Sequence, residues 1–203
     1  MPETTDFLYP FIEGDETDSG TLLEDLARSA EGKWSQSSAL RQATLTQSAA
    51  QLQATGAAMA ELFRAGGRLF TFGNGGSATD ASDLAWALGQ KGWALSDDVA
   101  TVTALANDVS FDVVFARQLA TLARPGDAVV ALSTSGTSAN VVAGLREAQR
   151  LGLSTIGFAG YDGGDMASAG LDACCVVRSS SVHRIQESYV TMYDEAIRRA
   201  SAS

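Results

Sequence analysis

The chain has 203 residues, 45% of them hydrophobic and 19% charged, a size and balance that suit one globular domain with a sizeable core. Fourteen Lys and Arg stand against 24 Asp and Glu, for a net charge of -10, and no basic stripe is clustered anywhere, so direct nucleic-acid binding is not expected. The N-terminus is acidic and no apolar run approaches the roughly 18 residues that cross a bilayer, so the expectation is a cytoplasmic protein without a membrane partner.

Residues 1–19 mix Pro2, Pro10 and Gly14 with several acids around a patch of Phe7, Leu8, Tyr9, Phe11 and Ile12. A flexible segment is expected there, its patch docking on a neighbour or on the domain itself, ahead of a single domain over residues 20–203. Residues 21–65 are rich in Ala, Leu and Gln with few breakers, which predicts amphipathic helices. Leu45, Ala49, Leu52, Met59 and Phe63 share one face, where Gly56 would let another helix approach closely.

From Gly67 onward the pattern alternates. Strands are predicted over 68–72, 99–105, 128–132, 154–159 and 173–177, separated by helices over 77–91, 111–123 and 138–151. This is an α/β pattern with a mainly parallel five-stranded sheet flanked by helices, and ligands belong at the carboxyl ends of its strands. The only cysteines, Cys174 and Cys175, are adjacent in the last strand, where they face opposite sides of the sheet as small hydrophobes and form no disulfide framework. A closing helix over 182–200 carries Ile185, Tyr189, Met192, Tyr193 and Ile197 on one side. Like the first long helix it is too apolar to stand alone, and packing in a homo-oligomer would bury both.

Two loops carry the chemistry. Gly73-Asn74-Gly75-Gly76-Ser77 and Ser133-Thr134-Ser135-Gly136-Thr137-Ser138 each follow a predicted strand and open a predicted helix. A phosphate needs several converging donors: glycine admits backbone N–H groups, serine and threonine add hydroxyls, and a helix N-terminus adds positive partial charge. Gly73, Gly75 and Ala78 also fit the dinucleotide pattern G-x-G-x-x-A. That pattern wants an acid at the end of the second strand, whereas Asp97 and Asp98 precede the predicted strand 99–105, and it leaves the second loop unexplained. A sugar phosphate accounts for both loops.

These loops, with Asn107-Asp108, Phe111, Phe115-Ala116-Arg117, Ala139-Asn140-Val141, Asp162-Gly163-Gly164 and Arg184-Ile185-Gln186-Glu187, follow the order of a known family. Over most of its length the chain resembles a sugar isomerase (SIS) domain of the phosphoheptose isomerase type. The resemblance implies the SIS-domain fold and a homotetramer that binds a seven-carbon sugar phosphate between subunits. It implies that Ser133, Thr134, Ser135 and Ser138 hold the phosphate. Asn74, Gly75, Ser77 and Asp108 would contact the sugar, with Gly76 and Gln186 completing the substrate-binding set. Read locally, Asp108 is an N-cap or turn residue before the next helix, and Gln186 and Glu187 are a polar helix face.

Aldose–ketose isomerisation moves a proton between adjacent carbons, so it needs a base near the carbon acid and a group to handle the hydroxyl proton. In phosphoheptose isomerases these are a glutamate on the helix after the first loop and a histidine on the last helix, joined by a second histidine and a glutamine that can hold zinc. The resemblance sets Ala87 at that glutamate, Asp83 at the helix histidine and Asp194 at the catalytic histidine. A regulatory branch of the family, the bacterial adaptor that binds the replication initiator, also lacks the acid–base pair. It implies the alternative of a non-catalytic phosphosugar-binding adaptor with a protein partner. Asp83, Asp194 and His183 are the candidate acid–base groups. Asp83, Asp194 and Gln186 would offer oxygen ligands to a divalent cation such as magnesium or manganese, in place of the family's zinc.

Overall fold

A computed structural model describes residues 19–201, so the expected flexible segment and its aromatic patch lie outside the described residues. The chain divides into two compact units, one ending at Ser38 and the other beginning at Ala39. The described part of the first is the opening of helix α1 (Ser19–Gln47), on which Leu23, Leu26 and Trp34 are exposed.

The second unit contains the rest of α1, followed by α2 (Ala49–Arg64), β1 (Leu69–Gly73), α3 (Gly76–Ala87) and β2 (Gly92–Ala94). Next come α4 (Val99–Asp108), α5 (Val114–Leu122), β3 (Ala128–Ser133), α6 (Ala139–Arg150), β4 (Ser154–Gly160), α7 (Gly164–Ser168), β5 (Ala173–Val177) and α8 (Val182–Ser201). All strand pairs are parallel and the order is β2-β1-β3-β4-β5. The five-stranded parallel sheet flanked by helices is therefore present.

Strands β1 and β3 are buried throughout, which is why both read as continuous runs rather than alternating ones. Leu69, Val130, Leu132 and Phe158 face one core, shared with Leu52 and Met59 of α2, Leu84 of α3 and Tyr189 of α8. Phe70, Phe72, Val129 and Ala131 face the other, shared with Phe115 and Leu119 of α5 and Leu145 of α6. Each such large side chain contributes about 1.5–3 kcal/mol on burial, so the two cores fix the sheet and leave the loops free for ligand. The β1–α3–β2 crossover puts its helix on the first face and β3–α6–β4 on the second, as right-handed crossovers in opposite directions require. Strand order reverses between β1 and β3, and the loops after these two strands flank that crevice. At the far end of the sheet Asp127 accepts hydrogen bonds from the backbone and guanidinium of Arg68 (2.9 and 2.7 Å) and from the Arg124 N–H (2.9 Å), tying the entries of β1 and β3 together.

Residues 99–105 are not a strand. They begin α4, because the Asp98 carboxylate accepts from the Thr101 N–H at 3.0 Å and from its hydroxyl at 2.6 Å, an N-cap that sets the helix start. The partly buried residues are Thr101, Val102, Leu105 and Ala106, a helical spacing. The second strand is instead the three-residue β2 at the sheet edge. Asp97 and Asp98 thus do follow the second strand, as a dinucleotide site would want, but both are engaged: Asp97 accepts from the Ser82 hydroxyl and Asp98 caps α4.

The expected close approach at Gly56 is made by α8. A Cβ there would lie 2.6 Å from Arg199 Cβ and 3.1 Å from the Ala196 carbonyl oxygen. Ala49, expected on the same face, is exposed at the break between α1 and α2. The apolar side of α8 is already covered within the chain, since Ile185, Tyr189, Met192 and Tyr193 belong to the first core; no oligomer is needed to bury it. Cys175 faces the first core and Cys174 packs against the second, on opposite sides of β5 as expected. Burial pushes the Cys175 thiol up to about 12, which suits a hydrophobe and not a nucleophile. Among the described residues no helix is long and apolar enough to cross a membrane.

Candidate functional site at the strand-order switch

Between the end of β3 and the start of α6, three hydroxyls turn toward one another. Ser133 Oγ lies 3.1 Å from Ser138 Oγ and 3.5 Å from Ser135 Oγ. Ser133 Oγ accepts from the Gly136 N–H at 3.1 Å, and Ser135 Oγ accepts from the Thr137 N–H at 3.2 Å. Ser138 occupies the N-cap position of α6, yet its hydroxyl makes no bond to the helix and faces Ser133 instead. A helix end without its capping side chain, beside clustered hydroxyls, is a ready donor set for an anion. Thr134, half-buried, lends its carbonyl to a close contact with Gly160. Gly136 has φ of 68°, and a Cβ there would sit 2.1 Å from the carbonyl oxygen of Gly163, in the turn that backs the loop.

Across the crevice β1 ends at Gly73 and α3 begins at Gly76, with Ser77 buried in its first turn. Asn74 reaches over to Asn140, near the start of α6. The Asn74 amide donates to Asn140 Oδ1 at 2.8 Å and the Asn140 amide donates back to Asn74 Oδ1 at 2.9 Å. Gly76 lets α8 come in close, for a Cβ on it would lie 2.0 Å from Gln186 Nε2. Gln186 in turn hydrogen-bonds the carboxylate of Asp80, one turn into α3. Gly76, Thr79 and Asp80 with His183, Gln186, Glu187 and Val190 line a hollow of about 420 Å³. Asp80 is only 9% exposed. Burial chiefly, and repulsion from Asp83, push its carboxyl up to about 6 against the Gln186 hydrogen bond. A carboxyl poised near neutrality can both take and return a proton.

The residues singled out from sequence thus fall in different places. The serine loop holds Ser133, Ser135 and Ser138 together; the α3/α8 hollow holds Gly76, Gln186 and His183. Asp83 and Asp194 are exposed and do not line that hollow. After burial and Asp80, they are what pushes the Tyr193 phenol up, which sets both near that ring, further along α3 and α8. Asp194 is eleven residues beyond His183 on α8, about 16 Å of helical rise. Ala87 is exposed and lines a separate hollow with Phe63, Lys91 and Ile197. Asp108 is not an N-cap: it is the last residue of α4, bonded by Asn107, and Ser110 caps the following turn. Asp80 and Asn140 were missed as site residues. Asp80 had a local signal, three residues after Ser77 on the helix that the first loop opens; Asn140 had only its place in the second motif.

Zinc sites in proteins draw mainly on imidazole and thiolate. Asp83, Asp194 and Gln186 supply neither, and the one histidine, His183, lines the α3/α8 hollow with Gln186, a hollow that Asp83 and Asp194 do not line. Among the described residues no three His, Cys, Asp or Glu side chains converge to hold a metal. The residues do not fit the zinc site of the resemblance.

Parallel strands that reverse order at β1/β3, with donor-rich loops on both sides, define a doubly wound α/β domain with its candidate site at the switch point. A SIS domain family model matches residues 34–160. The phosphoheptose isomerase of Roseiflexus sp. (strain RS-1) is 39% identical over 162 residues, 75% of this chain and 82% of the relative. That of Rhodospirillum rubrum is 42% identical over 149 residues, 69% of this chain and 78% of the relative. The solved phosphoheptose isomerase of Neisseria gonorrhoeae superposes with a TM-score of 0.82 at 30% identity, covering 88% of this chain and 100% of that one. The chain belongs to the SIS-domain family, in its phosphoheptose isomerase branch.

Proposed function

We propose that this protein binds a sugar phosphate across the β1/β3 crevice and interconverts its aldose and ketose forms, with sedoheptulose 7-phosphate or a related sugar phosphate as substrate. The carrying observation is the convergence of the Ser133, Ser135 and Ser138 hydroxyls beside an α6 N-terminus that its own N-cap residue leaves open. With the phosphate there, Asn74 and the α3/α8 hollow receive the sugar. Asp80 takes the proton from one carbon and returns it to the neighbour, while His183 carries the hydroxyl proton between the two oxygens of the enediol. Asp83, at a position the resemblance marks, acts as an electrostatic neighbour of that exchange, because its charge helps to raise the Asp80 carboxyl.

A second reading, a sugar-phosphate binder without turnover and with a protein partner, is favoured by Ala87, whose methyl group cannot exchange a proton. An NMR time course of sedoheptulose 7-phosphate with the purified protein separates the two. New heptose 7-phosphate signals that scale with protein and vanish in Ser135→Ala are the expected result. Line broadening without conversion would establish the binder, and no change of either kind would remove the sugar-phosphate reading altogether.

We also propose a homotetramer, which would cover Leu23, Leu26 and Trp34 of α1. Light scattering should then give four times the chain mass; a monomer mass at micromolar concentration would overturn it.

A further inference from the structure

We propose that Asn140 is a positioning residue that joins the phosphate loop to the sugar loop, so that phosphate binding sets the amide that meets the sugar. The inference rests on the sugar-phosphate reading above. Asn140 is 2% exposed and its side chain makes three hydrogen bonds. It exchanges a reciprocal pair with Asn74 at 2.8 and 2.9 Å, and its Oδ1 also accepts from the Val141 N–H at 3.0 Å. The two asparagines are 66 residues apart and sit on opposite lips of the crevice.

A reciprocal amide pair is satisfied only when both planes are matched, donor against acceptor on each side. Asn140 therefore fixes the rotamer and the flip of Asn74, the side chain proposed to meet the sugar. The third bond ties that pair to the backbone of the α6 first turn, the turn that the phosphate is proposed to approach. An anion that orders the 133–138 loop and this turn thereby holds Asn74 in register for the sugar. Loss of the pair frees Asn74 while leaving the hydroxyl donors in place, because Ser133, Ser135 and Ser138 bond among themselves and to their own loop.

Titration calorimetry on the full chain, with inorganic phosphate and with sedoheptulose 7-phosphate, tests this. In Asn140→Ser, inorganic phosphate affinity is expected to stay within about twofold, while sugar-phosphate affinity falls roughly tenfold, the size of two modest hydrogen bonds. Asn140→Leu, of similar volume, makes the same comparison if the serine variant proves unstable. Equal losses for both ligands would mean that Asn140 merely supports the phosphate loop, and no loss for either would mean that it couples nothing; each overturns the proposal while leaving the sugar-phosphate reading in place. If the unmodified protein binds neither ligand, that reading fails and this inference falls with it.

Discussion

Gly136→Ala should abolish phosphate binding and destabilise the protein by roughly 3 kcal/mol or more, where Gly75→Ala costs only about 1–2 kcal/mol. Both glycines have positive φ, 68° and 56°, so both substitutions carry the conformational cost of an L side chain there. They differ in surroundings. Nothing lies within 4 Å of a Cβ on Gly75, whereas one on Gly136 would meet the Gly163 carbonyl oxygen at 2.1 Å. That oxygen is backbone in the turn preceding α7, and Met166 of that helix donates its N–H to the Gly136 carbonyl, so neither side can yield without opening the serine loop. Chemical denaturation and a phosphate titration of both variants check the contrast. Equal costs would mean that loop and turn are softer than their contacts imply.

Asp80→Asn should make the protein more stable and less active. With the native carboxyl raised from 3.8 to about 6, the folded state keeps a proton between those values that the unfolded chain has lost. Stability from the neutral side chain is therefore fully present below pH 3.8 and lost as pH rises through about 6. Two pKa units correspond to roughly 3 kcal/mol. The asparagine, which never ionises, should match the wild type near pH 4 and exceed it by roughly 3 kcal/mol above pH 7, while turnover falls about 100-fold or more. Denaturation midpoints across pH, read beside the NMR time course, test both halves. A constant stability difference across pH would show that the carboxylate is not desolvated. A stabilised but silent variant is the mark of a group held in an unfavourable state for its chemistry.

What could be read from the sequence was local. The two loops were legible because glycine, serine and the strand-to-helix context lie within a few residues of one another. The central strands were legible because burial on both faces leaves unbroken apolar runs. Residues 99–105 misled because Val99, Thr101, Val102 and Thr103 are β-branched and read as a strand, and the deciding bond, from Thr101 to Asp98, is a cap whose effect only the fold reveals. The real second strand is three residues long, too short to carry a period. Asp80 looked like any helix-surface acid; its burial comes from α8, more than 100 residues later in the chain. The Asn74–Asn140 pair has no sequence signal at all, being a meeting of the end of β1 with the first turn of α6 that only the sheet order brings together.

Ser138 stands where a helix ordinarily receives its first side-chain bond, and it turns its hydroxyl toward other serines instead. On the proposed reading, the helix it opens is finished by a phosphate that the chain does not encode. Selection for a folded chain and selection for a ligand then act on this one residue differently: its backbone answers to the first and its oxygen to the second. A screen that asks only whether variants fold would pass an alanine there and overlook what the serine is for.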